Sequence, residues 1–563
     1  MNNPVQSSNG LKFSMSKLIS RREMLKRTGQ AALLSTLGFP ACVSSRSKSS
    51  GHASMGAISG EEAGARVGEK VLADGGNAID AAVAAGLTSC VATPARCGIG
   101  GYGGHMTIAL AAQKKIVSID FNSAAPASAR DDMYPLDEKG EVKDRANFYG
   151  WRAVGVPGTL AGFQLALDRY GTRSFRELVQ PAIEAARNGV VINPIFANTL
   201  RMTSRRMKGD PGSAKVYLKN GEPLHAGELL RNPDLAKMLS VLAERNSVET
   251  FYRGDIAHQI ADACQKNGGL LTLQDLANYR AKDVEPLRLK CKDFEVFTAP
   301  LTAGGLTILQ ACSILKVLNW NGGARASLHA YVEALRLAWK DRLDLLGDPD
   351  QVKVPVDHLL SADYARELAA KVQAAVKEGK PISIQTQKHS DEGTNNLSSV
   401  DRHGNLVAMT ITQGGSFGAQ VTVDGLGLTL GHGMSRFTPL PGHPNAPGPG
   451  KRPLHNMCPT VIAHNGKPVM AVGGAGGQRI PNALYRVITK YVMEGATMEE
   501  AVAAPRLFCI GPPDVTVERR WPADQIEMLK QLGFKVRIEA GDDSHVSAAL
   551  FNASTRGCRA AMR

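Results

Sequence analysis

The residues able to do chemistry fall in a few short stretches of the chain. Thr394 follows Gly393 at the junction between a polar segment and the first of several strand-like runs. A threonine hydroxyl is a poor nucleophile unless a base stands beside it. Cutting the Gly393–Thr394 bond would supply that base, because the freed α-amine lies within reach of the same residue's hydroxyl and titrates at about 7.7 to 8.0. Glycine before the threonine permits the strained backbone that an internal attack on that bond requires. Taken alone, the same dipeptide also describes an ordinary loop threonine.

Three glycine-rich motifs compete for attention. Gly414-Gly415-Ser416-Phe417-Gly418 fits the GxSxG nucleophile elbow, but the elbow needs a helix directly after the serine, and AQVTVDGLGLTL is strand-like. Asp424 and His432 stand too close in sequence to be the usual triad partners. Gly98-Ile99-Gly100-Gly101-Tyr102-Gly103 fits GxGxxG, yet a helix precedes it and a strand follows, the reverse of a dinucleotide site. Gly473-Gly474-Ala475-Gly476-Gly477 has the favourable order of strand, glycines and helix, so its N–H groups can form an anion-binding nest. No Lys-Ser/Thr follows, which argues against a nucleotide P-loop and leaves a tight packing turn as the alternative. The histidines are isolated, there is no HExxH, and the nine cysteines show no CxxC pair. Neither a metal, another cofactor nor a dense disulfide framework is expected.

Positioning such groups falls to a mixed chain. A helical pattern runs over 59–73, stops at Gly75-Gly76, and restarts at Asn77 as a small-residue run that Pro94 ends; its composition predicts burial against close neighbours. Ser174-Phe175-Arg176-Glu177 reads as a capping box opening a helix to about 187, and further helices are predicted from 256 to the glycines at 268–269 and over 328–346. Strands are predicted at 295–300, 397–400, 406–412, 421–430 and 468–472, with a helix from 481. Residues 376–393 are polar and unpatterned and read as a mobile surface segment. The five prolines between 439 and 449 suggest a stiff ordered loop.

The 563 residues carry a formal charge of +14, but half of it lies in the first fifty, where eight Lys and Arg face Glu23 alone. Beyond them there is no sustained basic stripe with interleaved aromatics, so nucleic acid is not an expected partner. Ser20-Arg21-Arg22-Glu23-Met24-Leu25-Lys26 precedes a short apolar run, 31–41, too brief to span a bilayer. Basic, apolar and small residues in that order make an export signal, and the paired arginines resemble the twin-arginine type. The expected layout is a signal peptide over 1–42, a linker over 43–52, and a periplasmic or extracellular remainder. Cys42 raises lipid anchoring as a secondary option, although Phe39-Pro40-Ala41 matches a lipobox poorly.

Several segments together resemble the γ-glutamyltranspeptidase family: GGNAIDAAVAAG (75–86), GIGGYGGH (98–105), AVGVPGTLAGF (153–163), LVQPAIEAA (178–186), LLTLQDLANYRA (270–281), LGDPD (346–350), KRPLHNMCPT (451–460) and GGAGGQRI (473–480). The resemblance runs in family order from about residue 53 to the C-terminus. It implies an α+β fold, the four-layer αββα sandwich of N-terminal-nucleophile hydrolases. It also implies one chain that cuts itself between Gly393 and Thr394 into a large subunit (53–393) and a small subunit (394–563), which stay together as a heterodimer. The family's Thr-Thr-His-x-Ser-Val-Val-Asp stands here as Thr394-Asn395-Asn396-Leu397-Ser398-Ser399-Val400-Asp401. Thr394 thereby matches the nucleophile, Thr412 the second threonine that supports it, and Gly476 and Gly477 the pair whose N–H groups meet the oxyanion.

The substrate-binding positions depart from the family. Its carboxylate-gripping arginine is Asn122 here, the acidic residue that takes the substrate ammonium is Arg436, its Ser-Ser pair is His455-Asn456, and an asparagine near the second threonine is Gly414. A cation where the family keeps an anion repels the ammonium, and a broken charge pair in a desolvated pocket costs about 2 to 5 kcal/mol. The expected activity is therefore cleavage of a small amide or peptide whose acyl part lacks the free amino acid head, with Arg436 and His455 suited to an anionic acyl group. Two alternatives remain at this stage. One is a genuine glutathione hydrolase using other residues for the glutamyl head, and the other is an unprocessed binding protein.

Overall fold

Asn77 opens the small-residue run by capping it reciprocally: its side chain accepts from the N–H of Ile79 and Asp80, and Asp80 accepts from the N–H of Asn77. The resulting helix, Ala78–Ala92, is buried at all fifteen residues. A helix in which nine of the fifteen residues are Ala, Gly, Ser or Thr can do this because its thin side chains let neighbours approach on every side. It is α2; α1 (Glu62–Ala73) lies against it, with Gly64, Gly68 and Leu72 buried.

This computed structural model describes residues 55–318, 323–385, 394–541 and 544–563. The twin-arginine segment, the linker, Cys42 and Gly393 lie outside the described residues.

Among the described residues the two large sheets hold twelve strands. In chain order these are β1 (Gly56–Ser59), β2 (Gly103–Leu110), β3 (Lys115–Asp120), β4 (Lys282–Val284), β5 (Leu287–Cys291), β6 (Phe294–Thr298), β7 (Asn395–Asp401), β8 (Leu406–Thr412), β9 (Thr460–His464), β10 (Lys467–Ala475), β11 (His545–Asn552) and β12 (Gly557–Met562). One sheet runs β1-β7-β8-β2-β3-β4 and the other β12-β11-β10-β9-β6-β5. Both are antiparallel throughout. Each sheet takes strands from both sides of Thr394: β1 to β4 with β7 and β8, and β5 and β6 with β9 to β12.

Between the sheets the side chains are small. Ala57, Ala109, Ala408, Ala471, Ala549 and Ala560 pack there with Val400 and Val461. Hydroxyls tie the layers directly: Ser59 Oγ donates to the Ala548 carbonyl (2.9 Å), Ser398 Oγ to that of Ser547 (3.0 Å), and Thr107 Oγ1 to that of Pro459 (2.8 Å). The first sheet's outer face packs on α1, α2 and α3 (Thr159–Tyr170). The second packs on α4 (Gly305–Leu318), α5 (Gly323–Leu345) and α7 (Arg479–Ile488), the helix α6 (Ala362–Glu378) lying against α4 and α5. The order of layers is α, β, β, α.

Several local expectations are corrected. The run 421–430 is not one strand: Thr422–Val423 pairs with Leu428–Thr429, and between them Gly425 and Gly427 take positive φ (78° and 57°), so the Asp424-Gly425 turn folds the segment back on itself. The helix expected over 59–73 starts only at Glu62, because Gly56–Ser59 pairs with β7 as an edge strand. At Ser174 half of the capping box forms: the serine accepts from the Glu177 N–H, but the Glu177 carboxylate turns to Arg173. The helix there is interrupted at Val179, giving Phe175–Leu178 and Gln180–Asn188. The polar segment is not wholly mobile surface, since 376–378 complete α6 and Ile382 is clamped. Its N–H donates to Glu333 Oε1 (3.1 Å) and its carbonyl accepts from Arg336 Nη2 (2.9 Å). Glu333 and Arg336 are fully buried and joined through both carboxylate oxygens (2.6 and 2.7 Å).

Candidate active site

The direction of β7 places Thr394. Near its start, Asn396 lies over Gly473 of β10, so close that a Cβ on Gly473 would stand 2.1 Å from the Asn396 amide. At its far end, Cys558 Sγ donates to the Asp401 carbonyl (3.4 Å), and Cys558 faces Phe551, further along β11 from the Ser547–Gly473 pair. β7 thus runs antiparallel to β10 beneath it. Thr394, buried at 6% exposure, therefore lies at the same end of the sandwich as the turn after Ala475. Asn396 fixes that end by hydrogen bonds to Ser547 and Thr410, each at 2.6 Å.

The strand β10 continues through Gly473, Gly474 and Ala475, so the glycine loop expected over 473–477 contracts to Gly476 and Gly477. Both take positive φ (128° and 60°), and α7 begins two residues later. Their carbonyls accept from Arg479 and Ile480, while neither N–H donates to another described residue. Two adjacent free N–H groups before a helix form the nest expected from the sequence.

Thr412 ends β8 opposite Gly103 and is 1% exposed; its Oγ1 accepts the N–H of Gly414 at 2.8 Å. Gly414 has φ +97°, and a Cβ there would stand 2.3 Å from the His432 ring. The N–H of Gly415 donates to His432 Nε2. That bond assigns the ring hydrogen to Nδ1, which donates to Ser435 Oγ, and the serine hydroxyl in turn donates a hydrogen bond to the His432 carbonyl (2.9 Å). Burial, with the nearby Arg436 and Arg145, pushes the His432 pKa down to about 3, so the imidazole is neutral.

Ser435 and Arg436 sit on the short turn Gly433–Arg436 and open onto a recess of about 70 Å³ shared with Trp339, Leu454, Asn456 and Gln478. Gln478 directly follows the Gly476–Gly477 turn. The recess therefore reaches from Arg436 and Asn456 to the residue that follows the glycine turn. Arg436 lies 5.9 Å from the Tyr102 ring centroid, and its carbonyl accepts from Asn445 Nδ2 (2.8 Å). Asn456 Oδ1 accepts from Arg342 Nη2 at 3.1 Å.

The other two expected pocket residues behave differently. Asn122 is fully buried and spans two segments, donating to Thr302 Oγ1 (2.6 Å) and the Pro453 carbonyl (2.7 Å). It is engaged as a strut. His455, 2% exposed, is wedged edge-on to Tyr102 (5.6 Å) and beside His105 (4.9 Å). Burial, followed by His105, Arg436, Arg342 and Arg452, holds its pKa well below the usual histidine value. It brings no positive charge, which corrects its pairing with Arg436 as a site for an anion.

Sequence reasoning missed the support under this wall. Arg452 Nη1 stands 2.7 Å from Asp120 Oδ2, both side chains being less than a tenth exposed, and Arg452 Nη2 donates to the Arg280 carbonyl (2.6 Å). His105 Nδ1 lies 3.7 Å from Asp120 Oδ1. Asp120 also accepts the N–H of Asn122 (2.8 Å), linking the pair to the strut. Asp120 and Arg452 are 332 residues apart, so no spacing signals the pair. His432 was visible only as a rejected triad partner.

Two antiparallel sheets face to face between helical layers, with a buried threonine and a glycine turn at the same end, match the fold of N-terminal-nucleophile hydrolases. The sequence matches the family model for gamma-glutamyltranspeptidase over residues 64–561, and the chain belongs to that family. It is 36% identical over 494 residues to a glutathione hydrolase proenzyme of Escherichia coli (strain K12), covering 84% of each chain. It is 34% identical, also over 494 residues, to the acylase ACY 1 proenzyme of Pseudomonas sp. (strain V22), covering 86% of this chain and 88% of that one. Among solved structures, the cephalosporin acylase of Bacillus halodurans superposes with a TM-score of 0.83 at 26% identity, covering 94% and 97% of the two chains. A Helicobacter pylori gamma-glutamyltranspeptidase chain gives 0.53 at 35% identity, covering 56% and 90%. The protein is an enzyme of this hydrolase and acyltransferase class.

Proposed function

We propose that the chain cuts itself between Gly393 and Thr394 and then hydrolyses or transfers amides through Thr394, with an acyl group that carries no free amino acid head. The observation that supports the reading is the recess in which Arg436 and Asn456 adjoin Gln478, the residue after the Gly476–Gly477 turn, at the end of the sandwich where β7 begins.

In the first step Thr394 Oγ attacks the Gly393 carbonyl carbon, its proton passes to the departing nitrogen, and water hydrolyses the resulting ester. The products are a Gly393 carboxylate and a free Thr394 α-amine. In turnover that amine, with an ordinary pKa of about 7.7 to 8.0, takes the Oγ proton as the oxygen attacks the substrate carbonyl. The N–H groups of Gly476 and Gly477 receive the tetrahedral oxyanion. The C–N bond breaks as the ammonium returns its proton to the leaving amine, and water or an acceptor amine then releases the acyl group. The Gly414 N–H orients the Thr412 hydroxyl toward its supporting role. Large and small subunits remain as a heterodimer. The basic-apolar segment over 1–42 directs the protein to the periplasm or outside by the twin-arginine route.

Specificity follows Arg436. A guanidinium in the recess repels a substrate ammonium and suits a terminal carboxylate, as in a glutaryl-type acyl chain. The acylase relatives are named for acyl cleavage rather than for glutathione hydrolysis. The glutathione hydrolase relatives favour the second reading, a glutamyl substrate held by other residues.

Two measurements decide. Denaturing electrophoresis with N-terminal sequencing should show two unequal fragments, the smaller starting at Thr394, and Thr394→Ala should leave one band; a single band from the unaltered chain sinks the reading. On a panel of N-acyl anilides the mature enzyme should prefer glutaryl to γ-glutamyl. Turnover of γ-glutamyl anilide as fast as glutaryl anilide would return the decision to the glutathione hydrolase.

A further inference from the structure

The loop after Thr412 and the turn bearing Arg436 are joined through one side chain. His432 accepts the Gly415 N–H with Nε2 and donates to Ser435 Oγ with Nδ1. Its ring occupies the space that any side chain at position 414 would enter, 2.3 Å from an ideal Cβ. The ring is held on other sides by Phe148 (centroids 5.2 Å apart) and Tyr102 (6.4 Å), and it is 1% exposed. It therefore cannot swing aside to admit a substrate group. Gly414 and His432 fit each other as a pair, since the glycine is what makes room for the ring.

We propose that His432 is a specificity-determining residue of the acyl pocket: it fills the volume over Gly414 and braces the Ser435–Arg436 turn, so the pocket has no space for an α-amino group on the acyl chain. This rests on the amidase reading above and adds a steric element to the charge of Arg436. Exclusion by filled space and exclusion by charge act on the same substrate feature. Selection against the amino head is then the combined effect of two residues four apart on one turn. Rejection by a filled subsite of a group this small is worth roughly 10- to 200-fold.

The test uses mature full-length enzyme and the ratio of kcat/KM for N-glutaryl to γ-glutamyl p-nitroanilide. His432→Ala should lower that ratio at least about 10-fold, because the amino head gains room. His432→Gln, whose amide can make the same two hydrogen bonds and fill most of the volume, should stay within about threefold of the original enzyme. Gly414→Ala should abolish most activity in the presence of His432, and the same change should be at least tenfold milder in a His432→Ala background. Equal loss on both substrates in His432→Ala, with the ratio unchanged, would mean the ring serves folding alone and overturns the proposal. Should His432→Ala fail to mature, His432→Asn is judged by the same ratio, and failure of both to mature also overturns it. The outcomes remain separable from the parent reading: an original enzyme that cleaves neither anilide refutes the amidase, whereas a glutaryl preference indifferent to His432 refutes only this inference.

Discussion

Replacing Asp120 by Asn would test whether the buried Asp120–Arg452 pair is what holds the pocket wall. The substitution keeps shape and removes one charge, leaving the Arg452 guanidinium 7% exposed with the Arg280 and Asp120 carbonyls as acceptors. At about 4 Å between charge centres and an effective dielectric of about 20, the lost attraction is about 4 kcal/mol. Breaking one side of a buried pair typically costs about 3 to 5 kcal/mol, because the other charge stays desolvated. Arg452→Met should cost a similar amount, and Asp120→Asn/Arg452→Met together should cost clearly less than the sum. The assay is urea unfolding of the full chain carrying Thr394→Ala, the change that on the proposed mechanism keeps the protein in one piece. Burial opposes ionisation of Asp120, but Arg452, His105 and the Asn122 N–H outweigh it and hold its pKa below the usual aspartate value. A carboxylate depressed in the folded state stabilises above its unfolded pKa of about 3.9 and loses that contribution as the pH falls through the folded value. The gap between the parent and Asp120→Asn should therefore be constant near neutrality and close only below about pH 4. Single substitutions that each cost under about 1 kcal/mol, or strict additivity, would refute the argument.

Three further outcomes are expected. The folded His432 pKa of about 3 lies below its unfolded value of about 6.5, so stability is full above pH 6.5 and falls by about 1.4 kcal/mol per pH unit toward pH 3; His432→Gln should flatten that stretch of a stability–pH curve. Gly473→Ala forces a methyl group onto Asn396 and should destabilise by about 1 to 3 kcal/mol in urea unfolding, with partial recovery when Asn396→Ala is added. Glu333→Gln removes the charge that holds Arg336 and the Ile382 main chain, and should cost about 3 to 5 kcal/mol and slow the appearance of the two fragments on a timed gel.

The parts of this molecule that could be read in advance are those written locally. A run of small residues is enough to foresee a helix buried all round, and the short strand-like run over 406–412 is enough to foresee β8 at its observed bounds. The Asp424-Gly425 turn was equally local, but apolar residues on both flanks disguised it as one strand. The site divides in the same way. Thr394, Thr412 and the two glycines were reachable by resemblance, and the structure brings Thr394 and the glycine turn to one end. What the substituted positions do was not reachable. Asn122 braces two segments because Thr302 and Pro453 arrive from far along the chain, and the His455 pKa is held low by burial first, then by His105 and the arginines 436, 342 and 452 around it.

The interleaving of strands from before and after Thr394 has a consequence for the life of the molecule. While the chain is intact, both sheets assemble within one polymer, and closing even a long loop carries only a modest entropic penalty. If the bond before Thr394 is cut as proposed, neither fragment owns a complete sheet, and recovery from unfolding becomes an encounter between two molecules whose rate depends on their concentration. Dilute mature enzyme that unfolds would be lost rather than repaired, so its persistence would be governed by how slowly it comes apart. The uncut chain is the form that can find this fold, and the cut form is the one that has to keep it.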